Sequence, residues 1–109
     1  MNYTIITGAS AGIGEVFAKQ LAQQGNNLIL IARRKDKLDQ IASELRSQYS
    51  IQVETIAADL ATMESSQEIE TLVQEKGWNI QGLINNAGFG DRGSFLELAL
   101  DRQLQMIQL

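Results

Sequence analysis

The sequence predicts a doubly wound α/β fold, in which helices cover both faces of a parallel sheet. Two patterns alternate along its 109 residues and lead to this prediction. Short runs rich in isoleucine, leucine and valine are typical of strands that are buried on both faces. Between these runs, apolar residues recur at the three- and four-residue spacing of amphipathic helices. The runs that predict strands are residues 3–7, 27–32, 51–57 and 81–85.

Four amphipathic stretches predict the helices. In the first, Ile13, Val16, Phe17 and Leu21 share one face, which we expect to pack against the sheet. The other stripes are Leu38, Ile41, Ala42 and Leu45, then Ile69, Leu72 and Val73, and finally the apolar residues of a helix over 95–109. Strands and helices therefore alternate along the whole chain, in the order β-α-β-α-β-α-β-α.

The order of the strands in the sheet follows from this alternation. Parallel strands joined by right-handed helical crossovers are expected in the order 3-2-1-4. Strand 4 then lies at an edge, although Leu83 and Ile84 are typical of a central strand. A buried type of strand at an open edge invites further pairing. The sequence thus predicts a sheet that is incomplete on the strand-4 side, in one domain over 1–109 that is truncated after Leu109.

The composition excludes several classes of function. The net charge of −4 does not suggest nucleic acid or an anionic membrane as a partner. The absence of cysteine excludes disulfides and thiolate chemistry, and the absence of histidine removes the commonest zinc ligand and general base. No apolar run has the length of a membrane span, and the N-terminus has no signal-like pattern. We therefore expect a cytoplasmic protein without a metal site.

A glycine-rich stretch, TGASAGIG at residues 7–14, follows the first predicted strand. Gly8 permits a tight turn, Gly12 lets the backbone approach a pyrophosphate, and Gly14 lets the next helix pack on the sheet. Free backbone N–H groups and the helix dipole favour an anion there, and Ser10 adds a hydroxyl donor. A turn that only packs is the alternative interpretation. The strand-turn-helix context favours a nucleotide phosphate.

Three motifs carry a family resemblance. Residues 7–14 resemble the TGxxxGxG fingerprint of the classical short-chain dehydrogenases/reductases, residues 85–88 resemble their NNAG motif, and residues 59–60 resemble their acidic position beside the adenine. The resemblance covers this whole chain and a little under half of a family member. It implies a Rossmann-like fold, a dinucleotide cofactor and, in the full-length protein, a carbonyl or alcohol substrate. The cofactor contacts that it implies in these motifs are Gly8, Ser10, Ala11, Gly12, Ile13, Gly14, Asp59, Leu60, Asn86, Ala87 and Gly88.

Each of these motifs also has a purely structural interpretation. Asp59 lies after strand 3, where its carboxylate could accept from the adenine amino group or could cap the next helix. The resemblance favours the cofactor contact. Residues 86–88 place small side chains where a ribose must lie close to the backbone, and they also suit a turn that ends a strand. The glycine spacing argues against an epimerase or dehydratase of the extended branch, whose members typically have the motif TGxxGxxG.

The residues after strand 2 indicate which dinucleotide is bound. An NAD site usually has an acidic residue there to hold the ribose 2′-hydroxyl, and Ala32 occupies that position. Arg33 and Arg34 follow, and a guanidinium offers paired donors to a 2′-phosphate. Other NADP-preferring members carry a basic residue directly before the second motif glycine, and Ala11 occupies that position here. Alternatively, these basic residues only form the exposed first turn of a helix. Positive charges are electrostatically unfavourable at a helix N-terminus, which argues against this interpretation. We therefore expect NADP, with contacts from Arg33 and Arg34, rather than NAD.

The proton-transfer residues of the family are not found in this chain. The resemblance implies a Tyr-x-x-x-Lys pair and a serine, but Tyr3 is followed four residues later by Thr7, and Tyr49 by Val53. We therefore expect no catalytic residue here and no turnover by the chain alone. A non-catalytic dinucleotide-binding or regulatory module is the alternative. In full-length relatives the fourth helix often forms a subunit interface, which implies a homo-oligomer contact through residues 95–109.

Overall fold

The computed structural model of the chain describes residues 2–10, 12–59, 62–86 and 105–108. The strands in this part are β1 (Asn2–Thr7), β2 (Asn27–Ala32), β3 (Val53–Ala57), β4 (Asn79–Asn85) and β5 (Gln105–Gln108). The helices are α1 (Gly12–Gln23), α2 (Lys35–Gln48) and α3 (Met63–Lys76). All strand pairs are parallel and the sheet order is β3-β2-β1-β4-β5. The predicted order 3-2-1-4 of the first four strands is confirmed.

The fifth strand is a correction to the prediction. Residues 105–108 pair with β4 from Gly82 to Asn85, so the helix predicted over 95–109 is wrong at its C-terminal end. Residues 95–104 lie outside the described residues, and so does most of the proposed helical subunit interface. The four-residue sequence QMIQ is too short for periodicity to distinguish strand from helix. Residues 105–108 form a strand because the outer edge of β4 has backbone N–H and C=O groups that need hydrogen-bond partners.

The core lies on both faces of the sheet. In β2, Leu28 and Leu30 face α1 and α2, whereas Ile29 and Ile31 face α3. This alternation explains why β2 is apolar at every position, since neither of its faces meets water. The predicted buried residues of the second and third helices are confirmed, except that Leu72 is only half-buried. The fully buried ones are Leu38, Ile41, Ala42, Leu45, Ile69 and Val73.

The predicted core face of α1 is only partly right. Ile13 and Val16 are 62% and 53% exposed, whereas Phe17 and Leu21 are partly buried and pack against the core. The buried residues of α1 are small ones, Gly14, Ala18 and Ala22. The first helix approaches the sheet closely, as its buried glycine shows, and this leaves no room for larger side chains between them. The large apolar residues are therefore displaced to the flanks of the helix.

The outer edge of β3 is covered by side chains of α2. The Leu28 N–H donates to the Gln52 carbonyl, so the carbonyl of the next residue, Val53, points away from β2. The Arg46 guanidinium donates to this carbonyl, with an Nε–O distance of 3.1 Å. A satisfied carbonyl on an edge strand is not available to pair with another chain. One backbone acceptor at the β3 edge is thus already occupied.

Candidate functional site

The candidate site lies at the carboxyl ends of β1 and β4, the neighbouring strands between which the strand order reverses. From β1 the chain adds β2 and β3 on one side of the sheet, and then returns to add β4 and β5 on the other. In open α/β sheets, the crevice between such strands is the general position of a ligand. The turn after β1 and the residues after β4 meet at this crevice.

The glycine turn adopts the backbone conformation that its sequence predicts. Gly8 has a φ of 64° and Gly12 a φ of 56°, values that side-chain-bearing residues rarely adopt. A Cβ on Gly12 would have no atom within 4 Å, so the backbone there borders open space. The first turn of α1 begins at this point, with its N–H groups directed at an approaching anion. The local geometry therefore fits a phosphate cradle.

Gly14 has a more specific role than the predicted packing of the helix on the sheet. A Cβ at this position would lie 2.2 Å from the Gly8 carbonyl oxygen and 2.8 Å from the Asn86 side-chain nitrogen. Both distances are far below van der Waals contact. The start of α1 is therefore packed against the backbone of its own glycine turn and against Asn86. Only glycine permits this approach.

Hydrogen bonds of Thr7, Asn85 and Asn86 join the ends of β1 and β4. The Thr7 side chain is fully buried, and its hydroxyl donates to Asn85 Oδ1 at 3.0 Å while accepting from the Asn86 backbone N–H at 3.0 Å. The Asn86 side-chain amide in turn donates to the Gly8 carbonyl at 3.3 Å. These bonds hold the glycine turn at a defined position relative to β4. Ser10 is half-buried, and its hydroxyl makes no hydrogen bond within the part of the chain described.

The basic residues after β2 lie at the same edge of the sheet. β2 ends at the buried Ala32, whose carbonyl accepts from the Ala58 N–H at 2.9 Å. Arg33 follows, and Arg34 is the N-cap residue of α2 without a side-chain capping bond. Both side chains are exposed. The end of β2 therefore presents two guanidinium groups and no carboxylate.

These cations differ in how far they are neutralised. Arg34 pairs with Asp36 at 3.3 Å, and Lys35 pairs with Asp39 at 2.6 Å. Among the residues that the structure describes, none forms an ion pair or hydrogen bond with the Arg33 side chain. Arg33 is thus the cation that an incoming anion meets without first displacing a carboxylate.

Both partner carboxylates are stabilised in their charged form. The pKa of Asp36 is lowered by a hydrogen bond from the Lys37 backbone N–H and then by the Arg34 guanidinium. The pKa of Asp39 is lowered by the hydrogen bond from Lys35 and then by that from the Thr55 hydroxyl. At neutral pH both are therefore fully ionised.

Asp59 is exposed and lies two residues beyond the end of β3. The helix-capping interpretation of this residue is wrong, because Thr62 is the N-cap of α3 and its hydroxyl accepts from the Ser65 N–H at 3.1 Å. Asp59 stands at the same edge of the sheet as the glycine turn and Arg33. Its contact with an adenine stays a prediction.

Two further features bear on the kind of site. Within the described ranges, no group of three or more acidic, histidine or cysteine side chains could hold a metal ion. A search of the same residues finds no helix with the length and apolar character needed to cross a membrane.

The family model for short chain dehydrogenases matches residues 2–109. The chain belongs to the short-chain dehydrogenase family. The resemblance noted in the sequence is thereby confirmed, together with a dinucleotide-binding Rossmann-type fold.

Short-chain dehydrogenases of known sequence and structure show how much of the family this chain represents. It is 38% identical over 86 residues to the very-long-chain 3-oxoacyl-CoA reductase of Homo sapiens, and 43% identical over 88 residues to that of Kluyveromyces lactis. These matches cover 79% of the chain but only 27% and 25% of the two reductases. The chain thus spans about a quarter of the length of these curated relatives.

Two solved short-chain dehydrogenase structures resemble this fold closely. An alcohol dehydrogenase from Comamonas testosteroni, specific for bulky-bulky ketones, superimposes with a TM-score of 0.84 at 28% identity, over 99% of this chain and 54% of the other. The L-sorbose reductase of Gluconobacter frateurii, solved with NADPH and L-sorbose, gives 0.85 at 25% identity, over 93% and 46%. The predicted class of fold is therefore supported.

Two of the three short-chain dehydrogenase motifs are in contact, because the TGASAGIG turn is bonded to Asn85 and Asn86. The predicted residues Ser10, Ile13, Arg33, Arg34 and Asp59 all lie at this carboxyl edge of the sheet. Ala11, Leu60, Ala87 and Gly88 lie outside the described residues. Thr7 and Asn85 were not among the predicted site residues, although a hydroxyl-bearing residue directly after the apolar pair Ile5-Ile6 is itself a signal.

Proposed function

We propose that this chain is the NADP(H)-binding portion of a short-chain oxidoreductase, which transfers a hydride between the nicotinamide and a carbonyl or alcohol substrate. The observation that carries the proposal is the exposed Arg33 at the end of β2, which has no side-chain partner among the described residues, beside Ala32 in place of an acidic residue. A ribose 2′-phosphate meets a guanidinium there, and no carboxylate stands at the Ala32 position to repel it.

The residues of the glycine turn fit the pyrophosphate of such a cofactor. The open space beside Gly12, the N–H groups at the start of α1 and the Ser10 hydroxyl, which makes no hydrogen bond within the described ranges, all favour an anion. Asn86 and Asp59 flank the positions expected for a ribose and the adenine. When bound, the reduced cofactor supplies the hydride. This chain's own residues bind and orient the dinucleotide, and its sequence contains no Tyr-x-x-x-Lys pair to act as the proton donor of the family.

For the whole protein, a ketone is the carbonyl class that the relatives suggest. The curated relatives are named for 3-oxoacyl thioesters, and the two structural relatives for bulky ketones and L-sorbose. We propose that the 109-residue chain alone does not turn over such substrates, because it contains no Tyr-x-x-x-Lys sequence. The same observation favours the second candidate, a dinucleotide-binding module without catalysis.

The cofactor proposal is tested by measuring the dissociation constants of NADPH and NADH with purified chain. We expect NADPH to bind about ten- to a hundred-fold more tightly, as a charge-assisted phosphate contact provides. Arg33→Asp should remove most of this difference. Lys76→Glu is the matched charge reversal, since α3 runs antiparallel to the strands and ends at the opposite edge of the sheet. Equal affinities that Arg33→Asp leaves unchanged would defeat the proposal.

Turnover is a separate measurement. NADPH oxidation is followed with the chain and a panel of ketones, aldehydes and a 3-oxoacyl thioester. We expect no rate above that of buffer. A rate that depends on the concentration of the chain would disprove its proposed inactivity and would exclude the module without catalysis.

A further inference from the structure

The basic residues after β2 are accompanied by acidic residues from the first two turns of α2. Arg34 Nη2 lies 3.3 Å from Asp36 Oδ2, and Lys35 Nζ lies 2.6 Å from Asp39 Oδ2. The two pairs differ in their surroundings. Asp39 also accepts from the Thr55 hydroxyl of β3 at 3.0 Å, so it is anchored to the sheet. No such bond ties the Asp36 side chain to a neighbouring strand within the described residues.

We propose that Asp36 sets the strength of cofactor discrimination, because its carboxylate competes with the ribose 2′-phosphate of NADP(H) for the Arg34 guanidinium. The inference rests on the proposed function, since it requires that NADP(H) bind beside Arg33 and Arg34. It adds a residue to that site whose effect is opposite to that of the arginines. NADH lacks the 2′-phosphate and does not enter this competition.

The exposure of the pair makes the competition effective. The Arg34 and Asp36 side chains are 69% and 76% exposed, and exposed ion pairs are weak and readily exchanged. A phosphate accepts two parallel hydrogen bonds from a guanidinium and carries more charge than a carboxylate, so it displaces Asp36. The displaced carboxylate then remains close to the phosphate as a like charge. Both effects lower the affinity for NADP(H) below the value that two unpaired arginines would give.

The direct test compares the ratio of NADPH to NADH affinity in wild type and in Asp36→Asn. We expect the ratio to rise about two- to five-fold, the range expected for one exposed ion pair. Asp36→Ser, which keeps a hydrogen-bond acceptor at the start of α2, should give the same gain. Glu44→Gln removes an equal charge from an exposed position further along α2 and should leave the ratio unchanged.

A double-variant cycle separates competition for Arg34 from simple charge repulsion. In an Arg34→Ala background, Asp36→Asn should raise the ratio by a smaller factor, because there is no guanidinium to release and only the like-charge repulsion is removed. An unchanged or lower ratio in Asp36→Asn, or an equal gain in both backgrounds, would overturn the inference. If NADPH preference and its dependence on Arg33 persist in that case, the proposed function stands. If wild type shows no NADPH preference, both fail together.

Discussion

The side-chain amide of Asn86 donates a hydrogen bond to the carbonyl of Gly8, a residue 78 positions earlier in the chain. This bond joins the end of β4 to the turn after β1, and the strand order of the sheet reverses between these two strands. The space that a side chain on Gly14 would need is occupied by the same two partners. The two motifs that are distant in sequence therefore form one packed unit, and changes in either should affect the other.

Gly14→Ala should disrupt this unit. Its Cβ would lie 2.2 Å from a backbone oxygen that cannot rotate away, so the start of α1 must move. We expect a loss of about 1–3 kcal/mol in the free energy of unfolding and a large loss of dinucleotide affinity. Urea denaturation and NADPH titration measure the two effects.

Gly77→Ala is the matched control, since Gly77 has a φ of 68° and nothing within 4 Å of its Cβ position. It should cost about 1 kcal/mol of stability through backbone strain and leave NADPH affinity unaltered. Equal binding losses in both variants would contradict the packing role of Gly14.

Thr7→Val should weaken the connection between β1 and β4. The substitution preserves size and the β-branch but leaves the Asn86 N–H without the Thr7 hydroxyl as its acceptor. We expect a loss of about 1–3 kcal/mol in the free energy of unfolding. Thr7→Ser keeps the hydroxyl and should retain more of the stability and of the dinucleotide affinity. A serine variant as damaged as the valine variant would show that packing, rather than the hydroxyl, is decisive.

The lowered pKa values of Asp36 and Asp39 predict a loss of stability in acid. A carboxylate whose pKa is lower in the folded state stabilises the fold above its unfolded pKa, and this contribution disappears as the pH falls through the folded pKa. We expect the free energy of unfolding to decline below about pH 5. Asp39→Asn should reduce the slope of that decline in urea titrations at successive pH values. A slope identical to that of wild type would contradict the assignment.

Ser66→Ala should stabilise the protein. Ser66 is 1% exposed, and its hydroxyl has no hydrogen-bond partner among the described residues. A buried polar group without a partner is unfavourable, so its removal should raise the free energy of unfolding by about 1 kcal/mol. Ser43→Ala, at an exposed position of α2, controls for the helix propensity of alanine. A smaller gain for Ser66→Ala than for this control would show that the hydroxyl is satisfied.

Local patterns in the sequence predicted much of the fold. The continuous apolar character of β2 requires burial on both faces, and the stripe of Leu38, Ile41, Ala42 and Leu45 requires a helix packed on one of them. The glycine turn was predicted from the spacing of Gly8, Gly12 and Gly14 after an apolar strand, and the positive φ values of Gly8 and Gly12 agree with it. The sequence also predicts the roles of Arg33 and Ala32, because both residues are recognised by their position relative to the end of β2.

Contacts between distant residues decided the rest. The helix predicted at residues 105–108 is a strand, because the edge of β4 offers backbone partners that no local pattern records. The face of α1 follows from its close approach to the glycine turn and the sheet, and Thr62 rather than Asp59 caps α3.

The sequence by itself therefore determined the strands and helices among the described residues up to Asn85, the order of the strands, and the presence of a glycine turn after β1. These properties depend on side-chain periodicity and on backbone preferences, which act within a few residues. The tertiary structure alone decided that Asn86 holds Gly8, that Thr7 links β1 to β4, and that, among the described residues, Arg34 is paired while Arg33 is not. Those relationships arise from the distances at which folded elements meet, and the spacing of residues along the chain does not contain them.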